Sequence, residues 1–221
     1  MSPDQAISRR SVCIACNGEC SQGDRARSIA IAADLLVAAD GGAVHLSAMG
    51  LKPHAIVGDM DSLNVDPWRN DPGIQRIRYP REKDQCDGEL AVRWAFENGC
   101  DKALLLGAWG GRLDYALGHV ALLTRFSGQL ALWADDLLVL AARAGQEITL
   151  PAEPGGAVSL IAFTEQVRLS TIGLKYALAD EPLRYATHGL SNVAVEPRPA
   201  VSVSEGAVIV CIQGGESWLT D

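Results

Sequence analysis

The alternation of short apolar runs with segments of helical spacing through residues 1–134 most constrains this chain. "SVCIAC", "LLVAAD", "HAIVGD", "IQRIRYP", "ALLLG" and "QLALWAD" read as strands. Between them, "DRARSIAIAAD", "GGAVHLSAMG", "DGELAVRWAFENG" and "DYALGHVALLTRF" read as helices. Strands separated by helices imply βαβ units and a mostly parallel sheet, with ligands received beyond the carboxyl ends of its strands. From Asp135 the texture changes. "DLLVLAA", "QEITL", "AVSLIAF", "VRLST", "NVAVEP", "AVSVSEG" and "AVIVCIQ" are short strand-like pieces punctuated by Gly and Pro. That spacing predicts an all-β sandwich or barrel over 135–221, following an α/β domain over 1–134.

Composition narrows the function. Apolar residues make up 48% of 221 residues, enough for a sizeable core. No apolar run reaches about 18 residues, so no membrane-spanning helix is expected. The N-terminal segment lacks an export signal's apolar stretch, which predicts a cytoplasmic protein. A net charge of −8 argues against a broad nucleic-acid footprint and suits a protein that binds cations. Of the six cysteines, Cys13 and Cys16 form a CxxC within an apparent strand. No second CxxC completes a zinc site, so a structural role is expected.

Chemistry gathers in the loops after the α/β strands. These carry Asp40-Gly41-Gly42, Gly58-Asp59-Met60-Asp61, Lys83 to Asp87, and Gly110-Gly111-Arg112 with Asp114. Carboxylates suit Mg²⁺, a hard ion that prefers oxygen. Asp59 and Asp61 would face the same way in an extended segment. Lys83 and Arg112 can neutralise phosphate oxygens, and glycines let backbone approach a bulky ligand. The mixture fits nucleotide chemistry, although Asp87 and Asp114 also stand where helix caps are expected. No GxxxxGK[ST] is present, so this is no P-loop protein. A glycosidase acid–base pair would leave the lysine, arginine and glycine loops without a purpose.

"AADGGA", "LKPHAIVGDMDS", "KDQCDGELAV", "LLGAWGGRLDYALGHVALL" and "STIGLKYAL" with "GLSN" resemble, in order and spacing, the thiamine pyrophosphokinase family. The resemblance runs from about Asn17 to the end of the chain. It implies an α/β nucleotide-binding domain followed by a β-sandwich, in a homodimer whose site lies between domains of different subunits. It implies Mg²⁺-dependent transfer of the pyrophosphoryl group of ATP to the hydroxyl of thiamine, giving thiamine diphosphate and AMP. Residue by residue, it implies metal binding by Asp59, Asp61 and Asp87, with Asp40, Gly41 and Gly42 beside them. Lys83 and Arg112 would meet phosphates, Asp114 would close their loop, and Gly107, Gly110 and Gly111 would leave room for nucleotide. Ser191 and Asn192 would contact thiamine from the neighbouring subunit. No general base is assigned; Asp59 and Asp61 are candidates.

The chain departs from the family at Cys86 (usually Thr), Tyr115 (usually His), His119 (usually Asn) and Tyr176-Ala177 (usually Trp-Pro). His119, on a mainly apolar helix, is expected to be a satisfied interior histidine. These changes touch the acceptor side more than the metal acids. A pyrophosphokinase with another acceptor, such as a hydroxymethyl-pterin, is therefore an alternative reading; a non-catalytic nucleotide- or thiamine-binding module is another, but it would need broken metal ligands, and Asp59, Asp61 and Asp87 are all present.

Overall fold

The computed structural model describes residues 10–20, 23–60, 66 and 68–220. Asp61 lies outside the described residues.

Six strands form the parallel part of one large sheet: β1 (Ser11–Ala15), β2 (Leu35–Ala39), β3 (Ala55–Gly58), β4 (Gln75–Arg78), β5 (Lys102–Leu106) and β6 (Leu130–Ala134). Their order is β4-β3-β2-β1-β5-β6. The chain thus winds outward from β1 to β4, then returns to pair β5 on the other side of β1. That reversal is a topological switch point, where an open α/β sheet leaves a crevice at its carboxyl edge.

Period-2 alternation divides the side chains between two helical layers. Cys13, Ala15, Leu104 and Leu106 face α1 (Asp24–Ala32) and α2 (Ala43–Ala48). Val12, Ile14, Ala103 and Leu105 face α3 (Asp87–Glu97) and α4 (Leu113–Arg125). Helix α3 begins where the Cys86 thiol accepts the Glu89 N–H at 3.4 Å. It buries Leu90, Ala91 and Ala95 of the apolar face that its sequence spacing predicts, together with Val92, while Trp94 of that face is only partly buried. Gly99, at φ 85, ends the segment, a conformation that glycine adopts without a Cβ penalty.

The sheet continues past β6. Asp135 and Asp136 form a two-residue hairpin into antiparallel β7 (Leu137–Arg143), with Asp135 at φ 53 as the hairpin's twist requires. Beyond β7 come β14 (Ala207–Gln213), β9 (Ala157–Ala162) and edge strand β12 (Gly189–Val193). A second sheet covers this half: β11 (Glu181–Pro182), β10 (Arg168–Ile172), β13 (Ala200–Glu205) and β8 (Gln146–Thr149). Leu138, Leu140, Val158, Leu160, Val208 and Val210 meet Leu169, Val201 and Val203 in one apolar cluster. This is the antiparallel sandwich that follows the α/β part.

Two details differ from the sequence reading. The strand expected over "NVAVEP" lies earlier and stops at Val193, because Ala194 turns to bond Gly156 O and bridge Leu174. The two-residue β11 carries no periodicity that sequence could reveal. Among the described residues, no helix is long and apolar enough to cross a membrane.

Candidate active site

At the switch point, the loops after β1 and β5 and the starts of α3 and α4 enclose a cavity of about 480 Å³. On one wall stand the carboxylates of Asp40 and Asp87, with Asp59 beside them. Oxygens of Asp40, Asp59 and Asp87 all lie within 4.8 Å of one another.

Local structure explains how three acids come so close. Asp40 begins a 3₁₀ turn (Asp40–Gly42) directly after β2 and is held at φ 44. That left-handed conformation is uncommon outside glycine but tolerated by Asp, and it persists only where the surroundings enforce it. The residue is buried, and among the described residues its Oδ1 finds no hydrogen-bond partner. Gly58 lets the end of β3 pass between neighbours: a Cβ there would lie 3.0 Å from Asp40 Cβ and 3.1 Å from Asp87 Oδ1. Gly42 lets α2 start against the end of β1.

Lys83 is inserted into this cluster. Its Nζ lies 3.1 Å from Asp87 Oδ1 and 3.5 Å from Asp59 Oδ2, with the side chain only 12% exposed. Burial works against its charge, but hydrogen bonding to Asp87 and the fields of Asp87 and Asp59 outweigh it and hold the ammonium's pKa up. Burial raises the Asp87 carboxyl; Lys83 pulls it back down, while Asp40 and Asp59 add to the rise. A buried carboxylate oxygen without a partner is costly. Three hard oxygen donors converging on it fit a divalent ion such as Mg²⁺.

The expected same-facing pair of Asp59 and Asp61 falls partly outside the described residues, which hold Asp59 but not Asp61. Met60, at φ 68, ends the strand geometry immediately after Asp59. Within the described residues, Asp40 is the acid that joins Asp59 and Asp87.

On the opposite wall, Gly107, Gly110 and Gly111 line the cavity at φ 62, 80 and 66. Glu19 fixes this loop: its Oε1 accepts the Gly111 N–H at 3.1 Å, and its backbone bridges Trp109. Arg112 forms a two-pronged pair with Asp114 at 2.5 and 3.1 Å, and its guanidinium stacks on Tyr115, 4.4 Å from the ring centroid. Both members of the ion pair are mostly exposed, so Arg112 and Asp114 form a rim.

The floor gathers three of the residues at which the chain departs from the family pattern. His119 is interior, as expected: its Nδ1–H donates to Ala108 O at 2.9 Å in the neutral tautomer that leaves Nε2 as a lone pair. Burial depresses its pKa. Nε2 faces the Cys86 sulfur at 3.9 Å, and the Tyr115 ring lies edge-on to the imidazole. Burial pushes the Cys86 thiol's pKa up, so it stays protonated. Cys13 and Cys16 are buried and free, in keeping with a structural role.

Asn17 and Glu19 line the cavity without having been singled out in the sequence. Their signal was available: "NGEC" follows a strand of the same parallel sheet, as the other site loops do.

Ser191 and Asn192 stand elsewhere, on β12 at the far edge of the sheet. Ser191 is exposed at φ 59, and its N–H donates to Ser159 Oγ. Asn192 is buried, and its amide is engaged by its own chain. Oδ1 accepts from Tyr176 N and Val193 N, while Nδ2 donates to Tyr176 O. β12 and β3 are the first and ninth strands of the ten. At 4.7–4.9 Å per strand that is roughly 38 Å along the sheet.

Fold and crevice together define an open α/β protein whose ligand cleft opens at the switch point, extended by an antiparallel sandwich. Known proteins share this arrangement. The family described as thiamin pyrophosphokinase, catalytic domain, matches residues 26–132, and thiamin pyrophosphokinase, vitamin B1 binding domain, matches residues 146–209. The thiamine pyrophosphokinase of Bacillus subtilis (strain 168) is 29% identical over 186 residues, covering 80% of this chain and 86% of that protein. Thiamine pyrophosphokinase 1 of Oryza sativa subsp. japonica is 33% identical over 97 residues, or 40% of this chain and 37% of its own. Among solved structures, the Bacillus subtilis thiamine pyrophosphokinase superposes with a TM-score of 0.78 at 24% identity, covering 93% of this chain and 99% of that one. A thiamin pyrophosphokinase family protein from Enterococcus faecalis gives 0.75 at 26%, covering 92% and 98%. The chain belongs to the thiamin pyrophosphokinase family.

Proposed function

We propose that this protein is a thiamine diphosphokinase, which moves the pyrophosphoryl group of ATP onto the hydroxyl of thiamine and releases AMP. The observation that carries the chemistry is the trio Asp40, Asp59 and Asp87 around a buried, unpartnered oxygen at the switch-point cleft. These three residues would hold Mg²⁺, with Asp61 next along the chain as a further ligand. The bound ion supplies neutralisation of charge on the phosphate oxygens.

The remaining work falls to the chain. Lys83 and Arg112 meet the phosphates, Arg112 through its planar fork once it turns from Asp114. Gly107, Gly110 and Gly111 carry no side chain into the space that the nucleotide takes. Asp40, Gly41 and Gly42 form the nucleotide wall on the β2 side. In such transfers, positioning and charge neutralisation contribute most of the rate.

The acceptor site is completed by a second copy of the chain. In one copy, Ser191 and Asn192 are separated from the carboxylates by most of the width of the sheet. A homodimer that sets the 135–221 unit of one subunit against the 1–134 unit of the other brings them together. Asn192 then acts by fixing the Tyr176 segment and β12, and Ser191 offers an exposed hydroxyl. The six cysteines are all free, as suits a reducing compartment, and we assign the protein to the cytoplasm.

AMP release from Mg-ATP, measured in parallel with thiamine and with 6-hydroxymethyl-dihydropterin, tests the reading. Thiamine-dependent AMP with none from the pterin is expected. Pterin-dependent AMP alone, or ligand binding with no turnover, would overturn it.

A further inference from the structure

Lys83 does more in this structure than wait for a phosphate. Its ammonium lies between two of the three carboxylates that converge at the cleft, 3.1 Å from Asp87 and 3.5 Å from Asp59. Both acids are themselves mostly buried, so this pairing is screened by water far less than a surface ion pair. The third acid, Asp40, is buried with an oxygen that no group among the described residues satisfies. Among the described residues, Lys83 thus offsets part of the negative charge of the three acids. Two of the three acids that would coordinate a divalent ion are the acids whose charge Lys83 now faces.

We propose that Lys83 is an exchangeable counter-ion, which couples metal binding to nucleotide binding. This inference rests on the metal site of the preceding section. A divalent ion taken up by Asp59 and Asp87 competes with the ammonium for the same lone pairs and repels it at short range. Lys83 must then leave for another acceptor. Lys83 starts helix α3's approach segment, four residues before Asp87, so a swing of its flexible four-carbon stem carries the charge across the cleft mouth. Phosphate oxygens of a nucleotide are the acceptor that the cleft can offer it.

Metal alone must displace Lys83 without giving it a new partner. Metal with nucleotide displaces it onto a phosphate. Each ligand therefore strengthens the other, and by linkage the two enhancements are equal. The device keeps Asp59 and Asp87 partly compensated until the metal–nucleotide pair arrives. It also disfavours metal held in the absence of nucleotide.

Direct metal binding tests this without turnover. Mn²⁺ is titrated into the full-length protein by calorimetry and by the electron paramagnetic resonance of free Mn²⁺. Both are run with and without α,β-methylene-ATP, which cannot be cleaved between its first and second phosphorus atoms. In the wild type the analogue should tighten Mn²⁺ binding by about tenfold or more, within the range of couplings between bound ligands. Lys83→Met keeps the apolar stem and removes the charge. It should bind Mn²⁺ alone about tenfold tighter than the wild type, with the coupling to the analogue reduced to about threefold or less. Lys83→Arg, which keeps the charge, should retain weak metal binding. Circular dichroism confirms that each variant is folded, and Lys83→Gln, which also removes the charge, carries the comparison with Lys83→Arg if the Met variant is not.

Binding of Mn²⁺ alone by Lys83→Met that is no tighter than wild type overturns the inference and leaves the metal site standing. Arg and Met variants that bind metal alone equally tightly overturn it as well. No Mn²⁺ binding by the wild type even with the analogue overturns the metal reading itself, and this inference with it.

Discussion

Replacing Gly42 by Ala isolates the geometry on which the carboxylate cluster depends. Gly42 has φ −57 and ψ −18, an ordinary helical conformation, so alanine meets no backbone strain there. It meets a lack of space. A Cβ at this position would lie 1.9 Å from Ala15 O and 2.5 Å from Ala15 C. Both are backbone atoms at the end of β1, which is paired on both sides by β2 and β5 and cannot retreat. Real Cβ atoms essentially never approach closer than 3.0 Å, so the turn and α2 must withdraw by about 1.1 Å.

Overpacking of this kind costs about 1–3 kcal/mol, and a clash with backbone that cannot retreat places the change near the upper end, about 3 kcal/mol. For a chain of this size that is a fall in melting temperature of about 6–12 °C. The displaced turn begins at Asp40, so the carboxylate trio is pulled out of register. A shift of about 1 Å in a positioning element costs about a hundredfold in rate.

Gly111→Ala is the matched control. Its Cβ would meet open space, and only the left-handed φ of 66 opposes it, at about 1–2 kcal/mol. Thermal unfolding by circular dichroism and Mn²⁺ titration read both variants. Gly42→Ala melting within about 2 °C of wild type, less than 1 kcal/mol would produce, with unchanged Mn²⁺ affinity, would refute the packing argument.

Other perturbations probe separate parts. Asp40→Asn removes one of the three converging charges and should weaken Mn²⁺ binding by about tenfold or more, whereas a variant that binds normally would exclude Asp40 from the metal site. Asn192→Ala leaves Tyr176 and Val193 backbone groups without partners, at about 1–3 kcal/mol. It should raise the thiamine KM while leaving the ATP KM unchanged, and equal effects on both would argue for a general loss of structure. Burial holds the His119 pKa below its unfolded value of about 6.5, so the unfolded chain takes up the proton first as pH falls. His119's contribution to stability is therefore complete above about pH 6.5 and declines from there down to its folded-state pKa. Denaturant unfolding of wild type and His119→Asn across that window should show a steeper fall for the wild type; parallel curves would mean that burial leaves the His119 pKa the same in the folded and unfolded chain.

Much of this protein is set locally, and the sequence declares it. Apart from the polar β4, the strands after which the site loops fall are short, mainly apolar runs, and α3 and α4 show their buried faces as period-3.6 spacing. Glycines follow strands where backbone must come close. Those signals depend on neighbours a few residues apart, so they specify the α/β part, the β-rich part, and the loops that hold Asp40, Asp59, Lys83, Asp87 and Arg112. Family motifs in the same loops supplied the activity.

What the sequence could not decide depends on which loops meet. Asp40 and Asp87 are far apart in the chain, and their meeting follows from β2 and β3 lying side by side with α3 packed across them. Asp40's left-handed backbone and the space that Gly42 surrenders to β1 are forced by that packing. Spacing alone paired Asp59 with Asp61 as same-facing neighbours; Met60 leaves extended geometry, and the described cluster is Asp40, Asp59 and Asp87. Spacing likewise gave no hint that Lys83 lies among the acids, or that Asn192 holds its own chain at the opposite edge of the sheet. Side-chain chemistry is written residue by residue. Which charges face one another is fixed only when parallel strands bring their carboxyl ends to a common edge.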